Sequence, residues 1–295
     1  MDSIIQRKNL KFVDALILGV PFYNHFYKKG QRNGLRRVGE VLDLDLELFD
    51  RFVRLEPAHD FRIGFKLMKK NRFKGKSAEE VINLINDEKR RFKDIFVLLI
   101  GGDHSISIAP FKYFSARARN ITILQIDAHL DMRNNDADYM EKASKYAHST
   151  LMRRAFDFGY KTVQVGIRTY AKNEYDLVTE KELSVFEWGR GPIPYIASIL
   201  KAIKTNDVYL TIDIDGIDPA HMPATGTPVP GGLEWSYTNK LIRELFKEKN
   251  VVGADIMEIG SREDETLTEY GVAQLCYSII SYKLLKERGK LRFYE

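Results

Sequence analysis

The sequence predicts an α/β fold wound around a parallel sheet, and three observations carry that prediction. Seven short apolar, β-branched runs punctuate the chain. Stretches with helical periodicity separate most of them, and strands alternating with helices need crossovers that leave the strands parallel. With 295 residues and 44% hydrophobic content the chain can bury a large core, and no Pro/Gly/Ser-rich linker, repeat or low-complexity tract divides it. A single domain over residues 1–295 is the expectation.

The elements follow in order. The first run, 13–20, ends at Gly19-Val20-Pro21-Phe22, and Gly30 and Gly34 punctuate the loop beyond. Ser77-Ala78-Glu79-Glu80 is a capping box and opens a helix with Val81, Ile82, Leu84 and Ile85 on its apolar side. The run at 95–100 leads into Gly101-Gly102, where the backbone can turn tightly, and then Asp103-His104-Ser105. The run at 121–126 leads into Asp127-Ala128-His129-Leu130-Asp131. Runs at 162–167 and 183–186 precede a helix over about 195–204, and the run at 208–214 carries Asp213-Ile214-Asp215. A helix over 236–249, a last strand at 251–257 and a closing helix over 272–287 complete the pattern. Cys276 falls on an apolar face of that last helix, where a thiol is buried and inert.

Composition narrows the function classes. The segment from Met1 lacks the apolar stretch of a secretory leader. No apolar run approaches the roughly 20 residues that span a bilayer, so no membrane role is expected. One cysteine rules out an internal disulfide and suits a reducing compartment, hence a cytoplasmic location. The net charge of +5 divides as +7 over residues 1–100 and −2 over the remainder. Its densest part, Lys66, Lys69, Lys70, Arg72, Lys74 and Lys76, comes with no stacking platform or DNA-binding motif and reads as a solvated surface, not a nucleic-acid site.

The chemistry lies at three strand ends. In an extended chain residues i and i+2 face one side, so Asp127, His129 and Asp131 form one set and Asp213 with Asp215 another. Ligands bind at the carboxyl edge of an open parallel sheet, which His104 shares. Four aspartates converging there repel one another unless cations lie between them. Carboxylates with two imidazoles and no thiolate favour Mn²⁺ over structural zinc. Four carboxylates neutralise two divalent ions, and two such ions roughly 3.5–4 Å apart make hydroxide available near neutral pH. The 213–219 string is not an EF-hand loop, because its twelfth position is Ala224 where a glutamate is required.

Taken together, Gly101-Gly102-Asp103-His104-Ser105, Asp127-Ala128-His129-Leu130-Asp131, Asp213-Ile214-Asp215-Gly216-Ile217-Asp218-Pro219 and Thr225-Gly226-Thr227-Pro228-Val229 resemble the motifs of the arginase/agmatinase (ureohydrolase) family, most closely those of archaeal agmatinases. The resemblance runs from about residue 13 to residue 280. It implies a three-layer α/β/α sandwich with a mostly parallel sheet of about eight strands. It implies two Mn²⁺ per chain, one completed by His104 and Asp131 and the other by His129 and Asp215, with Asp127 and Asp213 bridging. It further implies that Asp131 passes a proton to the departing amine, that His148 shuttles protons, that Glu258 holds the substrate guanidinium and that Thr227 lies near the same group. The family usually forms trimers or hexamers, so a homo-oligomer is implied.

The implied reaction is hydrolysis of a linear guanidino compound to urea and an amine. The 132–147 segment is unlike the polar arginase loop that grips an α-carboxylate and α-amine, which points away from arginine. Agmatine is the first expectation, with arginine, 4-guanidinobutyrate and aminopropylagmatine as alternatives. Asp136, Asp138 and Glu141 suit a distal ammonium, whereas Arg133 suits a substrate carboxylate. Ser149 replaces a frequent glycine, and Gly34-Leu35-Arg36-Arg37 lacks the usual Gly-Pro element. His25 and His59 read as surface or packing residues, and His221 as a packing residue or a liner of the entrance. Two rivals make opposite demands: a single-zinc deacetylase on the same fold needs a His-His pair, absent here, and a catalytically silent paralogue predicts a lost ligand or a lost Glu258.

Overall fold

In the computed structural model, which describes residues 5, 10–23, 32–43, 49–138, 140 and 143–294, each apolar run becomes a strand. His25, Gly30 and Glu141, and all but Ile5 of the N-terminal segment read for a leader, lie outside the described residues. The first half of the chain runs β1 (Ala15–Val20), α1 (Gly34–Val41), α2 (Pro57–Asp60), β2 (Ile63–Leu67), α3 (Ala78–Arg90), β3 (Phe96–Gly101), α4 (Ile108–Phe114) and β4 (Ile121–Ile126). The second half runs α5 (Leu151–Asp157), β5 (Lys161–Ile167), α6 (Lys172–Glu180), β6 (Ser184–Glu187), α7 (Ile196–Ala202), β7 (Asp207–Asp213), α8 (Trp235–Glu248), β8 (Asn250–Met257) and α9 (Leu267–Glu287).

Eight strands form one sheet in the order β2-β1-β3-β8-β7-β4-β5-β6, and every pairing is parallel. Alternate side chains feed two separate cores. On β1, Ala15 and Ile17 join Leu35, Val38, Leu241 and Ile279, while Leu16 and Leu18 join Val81, Ile85, Phe111 and Leu151. Helices α1, α7, α8 and α9 therefore cover one face and α3, α4 and α5 the other, giving the three-layer sandwich. A strand buried on both faces shows no polar alternation, which is why the runs read as continuously apolar. The eighth strand, β2, has no long apolar run; it is an edge strand whose last residues, Lys66 and Leu67, are partly or largely exposed.

Ser77 closes both halves of its capping box with Glu80, as its sequence requires. The basic run folds back against that helix. Lys66 Nζ and Arg72 Nη1 lie 2.5 and 3.1 Å from the buried carboxylate of Glu88, and Lys76 pairs with Glu80. Cys276 is fully buried in α9, and its surroundings push the thiol pKa up. No helix among the described residues is long and apolar enough to cross a membrane.

Candidate active site

β3, β8, β7 and β4 are neighbours in the sheet, and their carboxyl ends carry the six predicted ligands together with Glu258. Gly102 and Gly216 let these ends meet. A Cβ on Gly102 would stand 2.3 Å from the Tyr23 ring, and one on Gly216 would stand 2.5 Å from the Asp127 nitrogen. His104 opens a short 3₁₀ turn capped by Asp103, whose Oδ1 accepts the Ser105 N–H at 2.9 Å. Asp131 and Glu258 both sit at positive φ, +52° and +59°, a conformation that costs free energy in residues other than glycine and clusters at functional sites.

Five of the six predicted ligands fall into two clusters that share one carboxylate: His104, Asp127 and Asp213; and Asp127, His129 and Asp215; Asp131 belongs to neither. His104 Nδ1 lies 3.2 Å from Oδ2 of Asp127 and of Asp213, and 3.6 Å from Oδ2 of Asp131. His129 Nδ1 lies 3.1 Å from Asp215 Oδ2 and 3.5 Å from Asp127 Oδ1. Burial pushes the Asp213 and Asp131 carboxyls well above the usual range, and neighbouring carboxylates push the same way. Burial alone would lower His129, but Asp215 and Asp127 outweigh it and carry the imidazole up to about 12.

These residues fit a pair of divalent cations. Thr211 Oγ1 donates to Asp255 Oδ1 at 2.6 Å, so at 2.8 Å it accepts from His104 Nε2–H. That fixes the tautomer with the lone pair on Nδ1, facing the carboxylates, where an ion would take it. His104 Nδ1 and Asp215 Oδ2 are buried atoms with no hydrogen-bond partner, as vacant donor atoms of a metal site would be. Cations between the four aspartates reverse the repulsion that otherwise raises their pKa values.

Above the clusters lies a cavity of about 300 Å³ whose walls include His129, Asp131, His148, Thr227 and Glu258. The structure thus gathers all nine sequence-predicted residues at one place: seven ring the cavity or face its floor, with His104 and Asp127 beneath. Glu258 Oε1 accepts the backbone N–H of His104 at 2.8 Å, which orients the carboxylate. His148 is about a quarter exposed, with Nδ1 3.9 Å from Asp103 Oδ2. Another cleft, of about 370 Å³ between Phe52, Arg243 and Tyr282, contains none of the ligand residues.

Several supporting residues escaped the sequence reading. Gln125 Nε2 donates to Asp127 Oδ2 at 2.6 Å, and Gln164 Nε2 in turn holds Gln125 Oε1 and the Leu130 carbonyl. Arg168 ties the carbonyls of Asp215 and Gly216 to those of Val229 and Pro230. Buried Glu174 accepts the N–H groups of Met132 and Ala171, each at 2.8 Å. The available signal was polarity inside an apolar run, at Gln125 and Gln164; Arg168 and Glu174 lie outside the quoted motifs. Asp136, read as a magnet for a distal ammonium, is buried and binds its own loop through Ser144 N–H. His221 pairs with Glu234 at 2.9 Å and is not among the residues that line the cavity.

A model of the arginase family matches residues 13–281. Among curated relatives, an N(1)-aminopropylagmatine ureohydrolase from Synechocystis sp. is 33% identical over 95% of this chain and 93% of its own length. An agmatinase from Pyrococcus horikoshii is 27% identical, with 95% of each chain covered. Among solved structures, the agmatine ureohydrolase of Thermoplasma volcanium superposes with a TM-score of 0.79 at 24% identity, covering 94% of this chain and 92% of the other. The arginase from Bacillus cereus gives 0.71 at 19% identity, covering 90% and 98%.

Proposed function

The chain belongs to the arginase family, and from that premise we propose that it is a manganese-dependent ureohydrolase of guanidino compounds with a cationic tail. The observation that carries this reading is the pair of ligand clusters sharing Asp127 beneath a cavity walled by Glu258. His104, Asp131 and Asp213 would hold one ion, His129, Asp215 and Asp213 the other, with Asp127 common to both. Two bound cations supply Lewis acidity and bring the pKa of water toward neutrality.

The remaining work falls to the protein. A guanidinium is planar and cationic, so Glu258, fixed by the His104 N–H, holds it by paired charge-assisted hydrogen bonds with its carbon over the ligand clusters. Thr227 lines the same cavity. Water adds to the guanidinium carbon, and the bond from that carbon to the alkyl-bearing nitrogen breaks. Asp131 carries the proton from that water to the departing nitrogen, and His148 exchanges protons between the cavity and solvent. The products are urea and an amine.

The tail's charge follows from Arg133. Its guanidinium pairs with Asp138 and lies 3.8 Å from Glu174 Oε2, so among the described residues two carboxylates stand against this cation. A substrate carboxylate meets an arginine already matched, whereas an ammonium meets a surplus negative charge. This favours N(1)-aminopropylagmatine and agmatine over arginine and 4-guanidinobutyrate. We put aminopropylagmatine first, because a relative at 33% identity over 95% of the chain carries that name. Agmatine, the first expectation from sequence, is second on the strength of the Pyrococcus horikoshii relative.

The test is urea release by protein loaded with Mn²⁺ and freed of excess metal, across these four compounds. Turnover of an amine-tailed compound should vanish on chelation and return with manganese. Asp213→Asn should lose metal and activity together, and Glu258→Gln should retain metal while losing activity on the order of 100-fold or more. Turnover by metal-free Asp213→Asn protein would overturn the two-metal reading.

A further inference from the structure

We propose that Tyr170, braced by Tyr175 and Glu187, seats a second ammonium at the far end of a polyamine-length substrate. It therefore selects longer guanidino-polyamines over shorter ones. This deepens the guanidino-polyamine reading above and rests on it. Tyr170 lies just beyond the β5 end that supplies Arg168, and it lines the same cavity as Glu258 and Asp131. One molecule can thus reach from the guanidinium clamp to its ring.

The ring is fixed although it is exposed. It stacks on Tyr175, with centroids 5.9 Å apart and planes 15° from parallel. Its hydroxyl donates to Glu187 Oε1 at 2.5 Å, while Glu187 Oε2 takes Arg190 at 3.1 Å. Glu187 and Arg190 cancel, so that carboxylate braces the ring without adding net charge. Exposed tyrosine side chains are ordinarily free to rotate, and holding two of them in a stack costs conformational entropy. The return is a preorganised π surface beside the cavity, and such a face attracts ammonium groups.

The charge distribution points the same way. Among the described residues, and outside the metal ligands and Glu258, the charged residues lining this stretch of the cavity are Arg133 and Glu174, and Asp138 faces Arg133 as a second carboxylate. Glu174 is 4% exposed and accepts two backbone N–H groups, one of them from Ala171, next in the chain to Tyr170. A chain with one ammonium finds the surplus carboxylate; a chain with two finds the carboxylate and then the ring. At an exposed ring such a contact is worth about 2–5-fold in affinity.

The experiment compares steady-state urea release from N(1)-aminopropylagmatine and agmatine by manganese-loaded wild-type, Tyr170→Ala and Tyr170→Phe proteins. The ratio of kcat/KM for the longer compound over the shorter should fall about 2–5-fold in Tyr170→Ala, through KM and not kcat. Tyr170→Phe keeps the ring and should restore most of the ratio. An unchanged ratio in Tyr170→Ala, whether both activities fall or neither does, overturns the proposal, as does a ratio lost equally in Tyr170→Phe. Should the wild type release urea from neither compound, the functional reading fails on its own account. Calorimetric binding of the two compounds to the same proteins then decides: weakening confined to the longer compound in Tyr170→Ala upholds the seat, and uniform weakening or no binding overturns it.

Discussion

At Gly216 a single methyl group has nowhere to go. It would press on the nitrogen and Cα of Asp127, 2.5 and 2.8 Å away, with the backbone of both strand ends fixed by sheet pairing. Gly216→Ala should cost about 1–3 kcal/mol of stability and lower bound manganese, read by denaturant titration and metal analysis of one preparation. The six candidate ligand residues were legible in the sequence because period-2 strings of Asp and His after apolar runs have few other uses, whereas the need for glycine at 216 was not. Nor were the supports of those ligands. Arg168 finds its partners in backbone carbonyls 47 and 61 residues away, and a main-chain acceptor leaves no mark on sequence. Arg133 was legible as a charge but not in its meaning, since it lies in a loop and its partner Glu174 on α6. Glu174→Gln should bring arginine or 4-guanidinobutyrate turnover closer to that of the amines, because one of the carboxylates facing Arg133 is then neutral; the check is relative kcat/KM across the panel.

At the scale of the element, α3 is the clearest case of local sequence setting local structure. Its capping box was readable residue by residue, and Ser77→Ala should cost about 1 kcal/mol in a thermal or denaturant melt. The same helix accounts for the basic run that precedes it, through Glu88. Burial would raise that carboxyl, but hydrogen bonds from Lys66 and Arg72 outweigh it and hold the group below its ordinary 4.5. A carboxyl depressed in the folded state contributes stability in full above its unfolded pKa and loses it as pH falls through the folded one. The stability gap between wild type and Glu88→Gln should therefore be widest above pH 4.5 and close in more acid solution. Strand β2 marks the limit of pattern reading. Ile63-Gly64-Phe65-Lys66-Leu67 is short, holds a glycine and ends half in solvent, so only its pairing with β1 identifies it.

At the scale of the whole molecule, Cys276 reports on everything around it. The thiol is fully buried in α9, and its raised pKa suppresses the reactive thiolate. Labelling by a thiol reagent should proceed no faster than unfolding, and manganese should slow it further by binding the native state alone. A fast phase in native buffer would contradict the packing of α9. The three-layer arrangement was legible, since alternating strands and helices permit few others. Strand order was not: periodicity describes each strand's two faces and says nothing of its neighbours. That order carries a consequence for how the protein comes into being. β3 and β4 follow one another in the chain, yet two places separate them in the sheet, filled by β8 and β7. A ribosome working at roughly 5–20 residues per second needs on the order of ten seconds to pass from the end of β4 to the end of β8. Once β6 is made, and until β7 and β8 follow, the newborn chain holds only the strands of two half-sheets, β2-β1-β3 and β4-β5-β6, each with an apolar edge that lacks its partner. His104 and Asp127 belong to different halves, so the nascent protein cannot close on metal early, and the last strands made are the ones that join it.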